Sequence, residues 1–330
     1  MSRVIEPQLS YSTVVPREHV HRSAISEVFL TDIICEKYPR FRLGIQLPRQ
    51  HSYYSEHMAE AAIYDPLLLL ECSRQASILI AHRYVGAGMD QKFIFNTGNL
   101  RISHLAGLVV RPHPGYGILD ATIVEEKQRD DVVIGITLAI DIQLDGTSVA
   151  TMEMAIQWMP GAAWDKVRTR GRAALDLTAT RPYPLERRAA PELVGRRSID
   201  NVVLGEFTAD TSVLDAEIVV DQHHPSLFDH PLDHIPGAVI FEAFRQTAVV
   251  AAHELFGLSP QRLVLTAVRA TFLRFGELEL ATRTHAQPLP VTGDHTVEFS
   301  IEMVQGDAVI TEGLVALRRP GRAQMPGVRA

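Results

Sequence analysis

The sequence predicts an α+β protein built from two diverged copies of one unit, in which a curved antiparallel sheet wraps around a central helix. Two observations support this fold class. The segment Glu71–Gln75 (Glu-Cys-Ser-Arg-Gln) recurs as Glu242–Gln246 (Glu-Ala-Phe-Arg-Gln), at an offset of 171 residues (242 minus 71). In each half the segment lies in an apolar run of helical length, and strand-like runs rich in Val, Ile and Thr follow it.

Further anchors occur in the same order in both halves and indicate a duplication. They pair His82 with His253, the His51/His57 pair with His224/His230, and Arg22-Ser23 with Arg197-Ser198. We predict an N-terminal unit at 1–160, a linker rich in Pro, Gly and Arg at 161–190, and a C-terminal unit at 191–330. We interpret the linker arginines as part of a solvated tether; the alternative is a docking surface for an acidic partner.

Each copy contains one predicted helix that is apolar on nearly every face and is therefore expected to be buried. The first begins at Asp65, which can cap it and precedes a proline, and runs to about Tyr84. The second begins at Pro236 and runs to about Phe256, with Gly257 as its C-terminal glycine.

Several predicted strands follow each helix. They are Phe93–Ile102, Gly107–Pro112, Ala121–Glu126, Val132–Leu144 and Ser148–Met159 in the first copy, and Arg262–Arg274, Glu277–Gln287, Asp294–Val304 and Ala308–Arg318 in the second. One buried helix followed by antiparallel strands is the hotdog arrangement, so we predict a tandem double hotdog.

Bulk properties exclude several classes of protein. The net charge of -7 and the pI near 6.1 give no support for binding to nucleic acid or to a membrane surface. The two cysteines, Cys35 and Cys72, do not define a disulfide framework. The N-terminal residues lack the apolar core of a signal peptide. We expect a soluble cytoplasmic protein.

Glu71, Arg74 and Gln75 are spaced i, i+3 and i+4, so they share one helix face, and the second copy repeats this spacing. Burying a carboxylate and a guanidinium costs several kcal/mol per ion unless they are paired. One interpretation is a structural ion pair in each helix, at the seam between the copies. The other is a site at that seam, with the glutamate as base and the arginine as anion holder.

The loops before the helices favour a site. His57 precedes Glu71 by 14 residues, which resembles the hotdog 3-hydroxyacyl-carrier-protein dehydratases, whereas His230 precedes Glu242 by only 12. In paired hotdogs each loop reaches the other helix, so His57 with Glu242 and His230 with Glu71 are the expected pairings. The unequal loops predict one productive and one degenerate site, and our preferred pair is Glu71 with Arg245. The histidines lack metal-ligand spacing, so we expect no metal.

A narrower resemblance covers almost the whole chain. It rests on the run Phe-Asp-His-Pro-Leu-Asp-His-Ile-Pro-Gly at Phe228–Gly237, with Glu242–Gln246, Arg22-Ser23, Pro48–His51 and Asp65–Leu67. These residues look like the A-factor synthase family, whose members make butanolide or furan signalling molecules that switch on antibiotic production. The resemblance implies transfer of a 3-oxoacyl group from acyl carrier protein to dihydroxyacetone phosphate, followed by aldol-type closure to a butenolide phosphate.

The resemblance also implies roles for individual residues. Glu71 or Glu242 is the expected base, with His57 and His230 as further catalytic candidates. The implied substrate-binding residues are Arg245 and Arg74 for the phosphate, the N–H groups near Gly237 for the thioester oxygen, and Gln75, Gln246, Asp233 and His234. We expect no cofactor; the partners are acyl carrier protein and dihydroxyacetone phosphate, and a homodimer is compatible with the sequence.

Two other functions stay open at this point. A dehydratase or thioesterase acting on acyl thioesters would depend on His57 or His230 and would need no phosphate acceptor. A non-catalytic binder of acyl chains or signalling lactones would tolerate loss of Glu71 or Arg245. Cys72-Ser73 and Phe244 depart from the family pattern, which leaves the acyl chain open.

Overall fold

The computed structural model describes residues 8–57, 62–290 and 296–319. In this part of the chain there are three α-helices: α1 (Pro66–Ile80), α2 (Gly161–Ala173) and α3 (Gly237–Phe256). No helix within these ranges is long and apolar enough to cross a membrane.

The described strands form one twelve-stranded antiparallel sheet. They are β1 (Leu30–Lys37), β2 (Arg40–Leu47), β3 (Lys92–Ile102), β4 (Gly115–Arg129), β5 (Val132–Leu144), β6 (Thr147–Met159), β7 (Leu204–Ala209), β8 (Leu214–Ile218), β9 (Val264–Phe272), β10 (Arg283–Pro288), β11 (Thr296–Gln305) and β12 (Ala308–Arg318). Their order is β1-β2-β4-β5-β6-β3-β9-β12-β11-β10-β8-β7.

The seam between the two copies is the β3–β9 pair, where Asn99 lies opposite Arg269. Read outward from this seam, the first half runs β3-β6-β5-β4-β2-β1 and the second runs β9-β12-β11-β10-β8-β7. The two orders correspond strand for strand, because β7–β12 repeat β1–β6. This pseudo-two-fold arrangement confirms the predicted tandem double hotdog.

The two central helices have the ends that the sequence predicts. Asp65 Oδ1 accepts a hydrogen bond from Leu67 N at 2.9 Å and so caps α1. Past Ile80 the helix continues in a wider turn that ends before Gly86, at φ 93°. Helix α3 begins at Gly237 without a side-chain cap and ends at Gly257, at φ 64°.

One of the predicted strands is wrong, and another is correct only in its second part. The segment Gly107–Pro112 lies outside the sheet ladder, and its Val109 forms only an isolated bridge to Ile63 next to the start of α1. The segment Glu277–Gln287 becomes a strand only at Arg283. The backbone of its first residue bonds to a side chain instead. Glu277 N donates to Gln305 Oε1, and Gln305 Nε2 donates to Glu277 O. Strands β1, β2, β7 and β8 were not predicted.

The start of the linker is a helix packed on the second copy. Arg168 of α2 is 5% exposed, and its guanidinium donates to Asp233 Oδ2 at 2.9 Å and to both carboxylate oxygens of Glu277 at 2.8 Å. Trp164 is buried beside it, and Arg172 also pairs with Glu277. The solvated tether is therefore wrong for Arg168 and Arg172, while the unit boundaries stay a prediction.

Replacing Arg168 with alanine should lower the free energy of unfolding by about 3 kcal/mol, because it leaves the buried carboxylate of Glu277 with one fewer counter-ion. Urea denaturation measures this change. Arg170→Ala is the matched control, since Arg170 is exposed on the same helix, and it should change stability by less than about 0.5 kcal/mol. Equal losses in the two variants would show that α2 does not depend on this ion pair.

Candidate functional site

Two buried ionic clusters lie where the two copies meet, one around each signature glutamate. The first cluster consists of Glu71, Arg22, Arg74 and Gln75. The second cluster consists of Glu242, Arg196, Arg245, Gln246, Asp65 and Tyr53. The pseudo-two-fold axis relates the two clusters, so each position in one can be compared with its counterpart in the other.

In the first cluster Glu71 is held by two guanidinium groups. Its Oε1 accepts from Arg22 Nε at 2.9 Å, Arg74 Nη2 at 2.8 Å and Gln75 Nε2 at 2.7 Å, and its Oε2 accepts from Arg74 Nε at 2.7 Å. Burial alone would raise the pKa of Glu71, but Arg22 and Arg74 outweigh burial and lower it to about 2. Glu71 is therefore an ionised anchor for two arginines and a weak base.

In the second cluster Glu242 is fully buried and has a different electrostatic setting. Its Oε1 accepts from Arg196 Nε at 2.9 Å, and the Tyr53 hydroxyl donates to its Oε2 at 2.6 Å. Arg245 and Gln246 also donate to this carboxylate. Burial raises the pKa of Glu242 despite the positive charge of Arg196. The two glutamates thus share a sequence motif but differ in the direction of their pKa shifts.

The glutamines of the two motifs join each helix to the backbone that enters the sheet. Gln75 Oε1 accepts from Phe29 N at 3.0 Å, and Gln246 Oε1 accepts from Val203 N at 2.9 Å. Both side chains are fully buried. Their predicted role in substrate binding stays a prediction, and in this structure they fix the position of the neighbouring glutamate.

The arginine that corresponds to Arg22 is Arg196, so the sequence pairing of Arg22 with Arg197 is wrong by one residue. Both arginines follow a short helical turn that closes with the same hydrogen bond: Arg22 N donates to Arg17 O at 3.0 Å, and Arg196 N donates to Pro191 O at 2.8 Å. The repeated Arg-Ser dipeptide suggested the wrong register. Sequence reasoning also missed Arg22 and Arg196 as ligands of the two glutamates.

The largest difference between the two clusters concerns the residue that precedes the central helix of the other copy. Arg245 Nη1 donates to both carboxylate oxygens of Asp65, at 2.8 and 2.7 Å, and Asp65 is also the cap of α1. At the same offset of 171 residues (236 minus 65), Pro236 precedes α3 and brings no carboxylate. Among the described residues Arg74 has no second carboxylate partner, and its side chain is 17% exposed compared with 9% for Arg245.

The loops before the helices cross the seam as predicted. Tyr53, from the loop of the first copy, binds Glu242 of the second. Asp229, from the loop of the second copy, lies 4.0 Å from Arg22 and accepts from Ser23 N at 2.6 Å.

Glu71 and Arg245, the preferred pair, bind different partners in this structure, and their joint catalytic role stays a prediction. Glu71 binds Arg22 and Arg74, whereas Arg245 binds Glu242 and Asp65. Each arginine lies one helical turn after its own glutamate and pairs with it at i, i+3. A site made from both copies therefore uses the loop of one copy and the helix of the other.

The two candidate histidines have unlike surroundings. His57 Nε2 donates to Ile63 O at 3.0 Å. His230 Nδ1 donates to Asp229 Oδ2 at 3.2 Å, and its side chain is 36% exposed. Burial raises the pKa of Asp229, but the hydrogen bonds from His230 and Ser23 N outweigh this and lower it to about 2. An ionised carboxylate thus orients the ring of His230.

The remaining predicted residues lie along the same loop. Asp233 binds Arg168, and His234 Nδ1 donates to Asp233 Oδ1 at 2.7 Å, with its ring 5.6 Å from that of Trp164. These two residues therefore attach the loop to α2 in this structure. Gly237 forms the first turn of α3, where the backbone N–H groups have no side-chain cap.

Comparisons with known proteins agree on one family and one fold. The model of the A-factor biosynthesis hotdog domain matches residues 5–160 and 177–318. The chain is 32% identical to a 2-oxo-3-(phosphooxy)propyl 3-oxoalkanoate synthase from Streptomyces virginiae, over 93% of this chain and 98% of the relative. A synthase of the same name from Streptomyces griseus is 26% identical, over 92% of this chain and 96% of the relative.

Among solved structures, an oleoyl thioesterase (putative) from Lactobacillus plantarum is similar with a TM-score of 0.54 at 11% identity. The match covers 87% of this chain and 99% of that chain. At this identity the likeness concerns the fold alone.

Proposed function

Since this chain belongs to the A-factor biosynthesis hotdog family, we propose that it is an acyltransferase that moves a 3-oxoacyl group from acyl carrier protein to dihydroxyacetone phosphate. The name of its relatives describes the product of such a transfer, an ester between a 3-oxoalkanoate and a 2-oxopropyl group that carries a phosphate. We place the reaction at the first cluster.

This proposal rests on a difference between the clusters: Asp65 supplies a carboxylate to the second cluster, and the first cluster has no counterpart among the described residues. The carboxylate of Asp65 accepts from Leu67 N, at the start of α1, and from Arg245. From the pseudo-two-fold relation we infer that the corresponding place in the first cluster lies between the start of α3 and Arg74, where Pro236 brings no carboxylate. A helix N-terminus and a guanidinium together favour an anion, so this place suits the negative groups of a substrate.

We assign His230 as the general base. Its Nε2 takes the proton of the acceptor hydroxyl while Asp229 holds the ring through Nδ1. The hydroxyl oxygen then forms a bond to the thioester carbonyl carbon, and the oxygen of that carbonyl gains the negative charge. When the C–S bond breaks, His230 returns its proton to the departing thiolate. No covalent enzyme intermediate is needed.

The charges that develop in this reaction have partners in the first cluster. Backbone N–H groups at Gly237 and Ala238 are placed to bind the oxyanion, since no side chain caps α3. Arg74 binds the phosphate through Nη1, which makes no hydrogen bond to the described residues. Glu71 keeps both Arg22 and Arg74 in position through its two oxygens.

We infer that the second cluster is the degenerate site. Asp65 and Glu242 are both fully buried and balance the charges of Arg196 and Arg245. Pro66, at the place of Gly237, has no N–H group to offer to an oxyanion. A substrate anion at this cluster would have to displace Asp65 from Arg245.

Incubation of the protein with a 3-oxoacyl thioester and dihydroxyacetone phosphate should give the ester phosphate, or its butenolide, by mass spectrometry. Dihydroxyacetone without phosphate is the matched control and should react far more slowly, because Arg74 then has no anion to bind. Turnover of the thioester without any acceptor would favour the dehydratase or thioesterase instead. The absence of product across several acyl lengths would rule out the transferase.

A further inference from the structure

The turn before Arg22 contains a second difference between the two copies. His21 ends this turn with φ 51°, in the left-handed region, whereas Gly195 occupies the same position in the second copy with φ 71°. A residue with a Cβ atom costs about 1–2 kcal/mol in this conformation, and glycine avoids that cost. The first copy therefore keeps a histidine where the backbone favours glycine.

The His21 side chain binds α1 through a second histidine. His21 Nε2 lies 2.9 Å from His82 Nε2, and His82 Nδ1 donates to Ala87 O at 2.9 Å. Because neutral His82 carries its proton on Nδ1, its Nε2 is the acceptor and His21 is the donor. Burial and the nearby charge of Arg74 lower the pKa of His21 to about 3, so the neutral donor persists at neutral pH.

This hydrogen bond fastens the turn that organises the first cluster. The carbonyl of Val20, next to His21, accepts from Arg74 Nη2 at 3.2 Å, and Arg22, on the other side, binds Glu71. Arg74 lacks the carboxylate that Asp65 supplies to Arg245. Its guanidinium therefore depends on Glu71 and on this turn for its position.

We propose that His21 is a positioning residue of the first cluster. Its hydrogen bond to His82 holds the turn that positions Arg22 and Arg74, so that Arg74 can bind the phosphate of the acceptor. This inference rests on the proposed function. The His21–His82 hydrogen bond is present only in the first copy, where no carboxylate corresponding to Asp65 fixes the second arginine.

The second copy provides an internal comparison. His253 Nδ1 donates to Leu258 O at 3.1 Å, as His82 donates to Ala87 O, but Gly195 has no ring to bind it. There Arg245 is held by Asp65. Loss of either histidine removes an equivalent hydrogen bond at the end of its helix. Only loss of His82 also removes the hydrogen bond to His21 in the turn before Arg22.

The test compares His82→Ala with His253→Ala. We expect the first variant to raise KM for dihydroxyacetone phosphate about tenfold, the equivalent of one hydrogen bond to a charged group. The KM for the acyl thioester should stay unchanged, which a general loss of stability would not achieve. His253→Ala should leave both KM values unchanged. Equal kinetic losses in the two variants would overturn the proposal.

A second pair of variants controls for backbone strain. His21→Gly and Asp131→Gly both relieve a left-handed residue, because Asp131 has φ 63° in the exposed turn between β4 and β5. Only His21→Gly should raise KM for dihydroxyacetone phosphate. An unchanged KM in this variant would also overturn the proposal.

Binding of inorganic phosphate, measured by calorimetry, separates this inference from the proposed function. If the wild-type protein makes no ester, the proposed transferase function is wrong. The role of the His21–His82 hydrogen bond is then judged by phosphate affinity alone. We expect His21→Gly to weaken phosphate binding about tenfold and Asp131→Gly to leave it unchanged. Equal phosphate affinities of wild type and His21→Gly would contradict the positioning role.

Discussion

Replacing His230 with glutamine should lower kcat by about 10²–10⁴-fold, the usual contribution of a general base. The ring of His230 is oriented by the ionised Asp229 and is partly open to solvent. Glutamine keeps a hydrogen-bonding group of similar reach but cannot accept the proton of the hydroxyl. The measurement is steady-state formation of the ester, with the unfolding midpoint recorded to show that the variant is folded.

His57→Gln is the matched control for this prediction, because His57 is the corresponding histidine of the other loop. It should leave kcat near the wild-type value, since its Nε2 donates to Ile63 O and Asp65 already occupies Arg245 in the second cluster. A larger loss in His57→Gln than in His230→Gln would move the reaction to the second cluster.

Replacing Arg245 with methionine should destabilise the fold by about 3–5 kcal/mol, the usual result of removing one partner from a buried ion pair. Asp65 and Glu242 are both fully buried, and each binds the guanidinium of Arg245. Methionine keeps the apolar stem and leaves two carboxylates with Arg196 as their remaining cation. Urea denaturation measures the change in the free energy of unfolding.

Replacing Arg74 with methionine should affect binding of dihydroxyacetone phosphate more than the stability of the fold. Arg74 is more exposed, and Glu71 retains Arg22, so the loss of stability should be smaller than for Arg245→Met. The KM for dihydroxyacetone phosphate should rise instead, by about tenfold or more, because a charge-assisted bond to phosphate is lost. If Arg74→Met unfolds as readily as Arg245→Met and binds the acceptor normally, the assignment of the reaction to the first cluster is wrong.

The duplication and the two central helices follow from the sequence alone. Helix ends depend on nearby residues, so Asp65 at the start of α1 and Gly257 at the end of α3 were readable from local chemistry. Apolar runs also gave most strands. The same rule failed at Gly107–Pro112, where an apolar run covers the start of α1 and takes no part in the sheet ladder.

The partners of each signature residue depend on the tertiary fold. Arg22 lies 49 residues from Glu71, and Asp65 lies 180 residues from Arg245. Such contacts depend on how the two copies meet at the seam, and no local spacing encodes them. The sequence predicts one productive and one degenerate site from the unequal loops, and the structure adds a difference that the motif does not encode: Asp65 binds Arg245, whereas Pro236 brings no carboxylate.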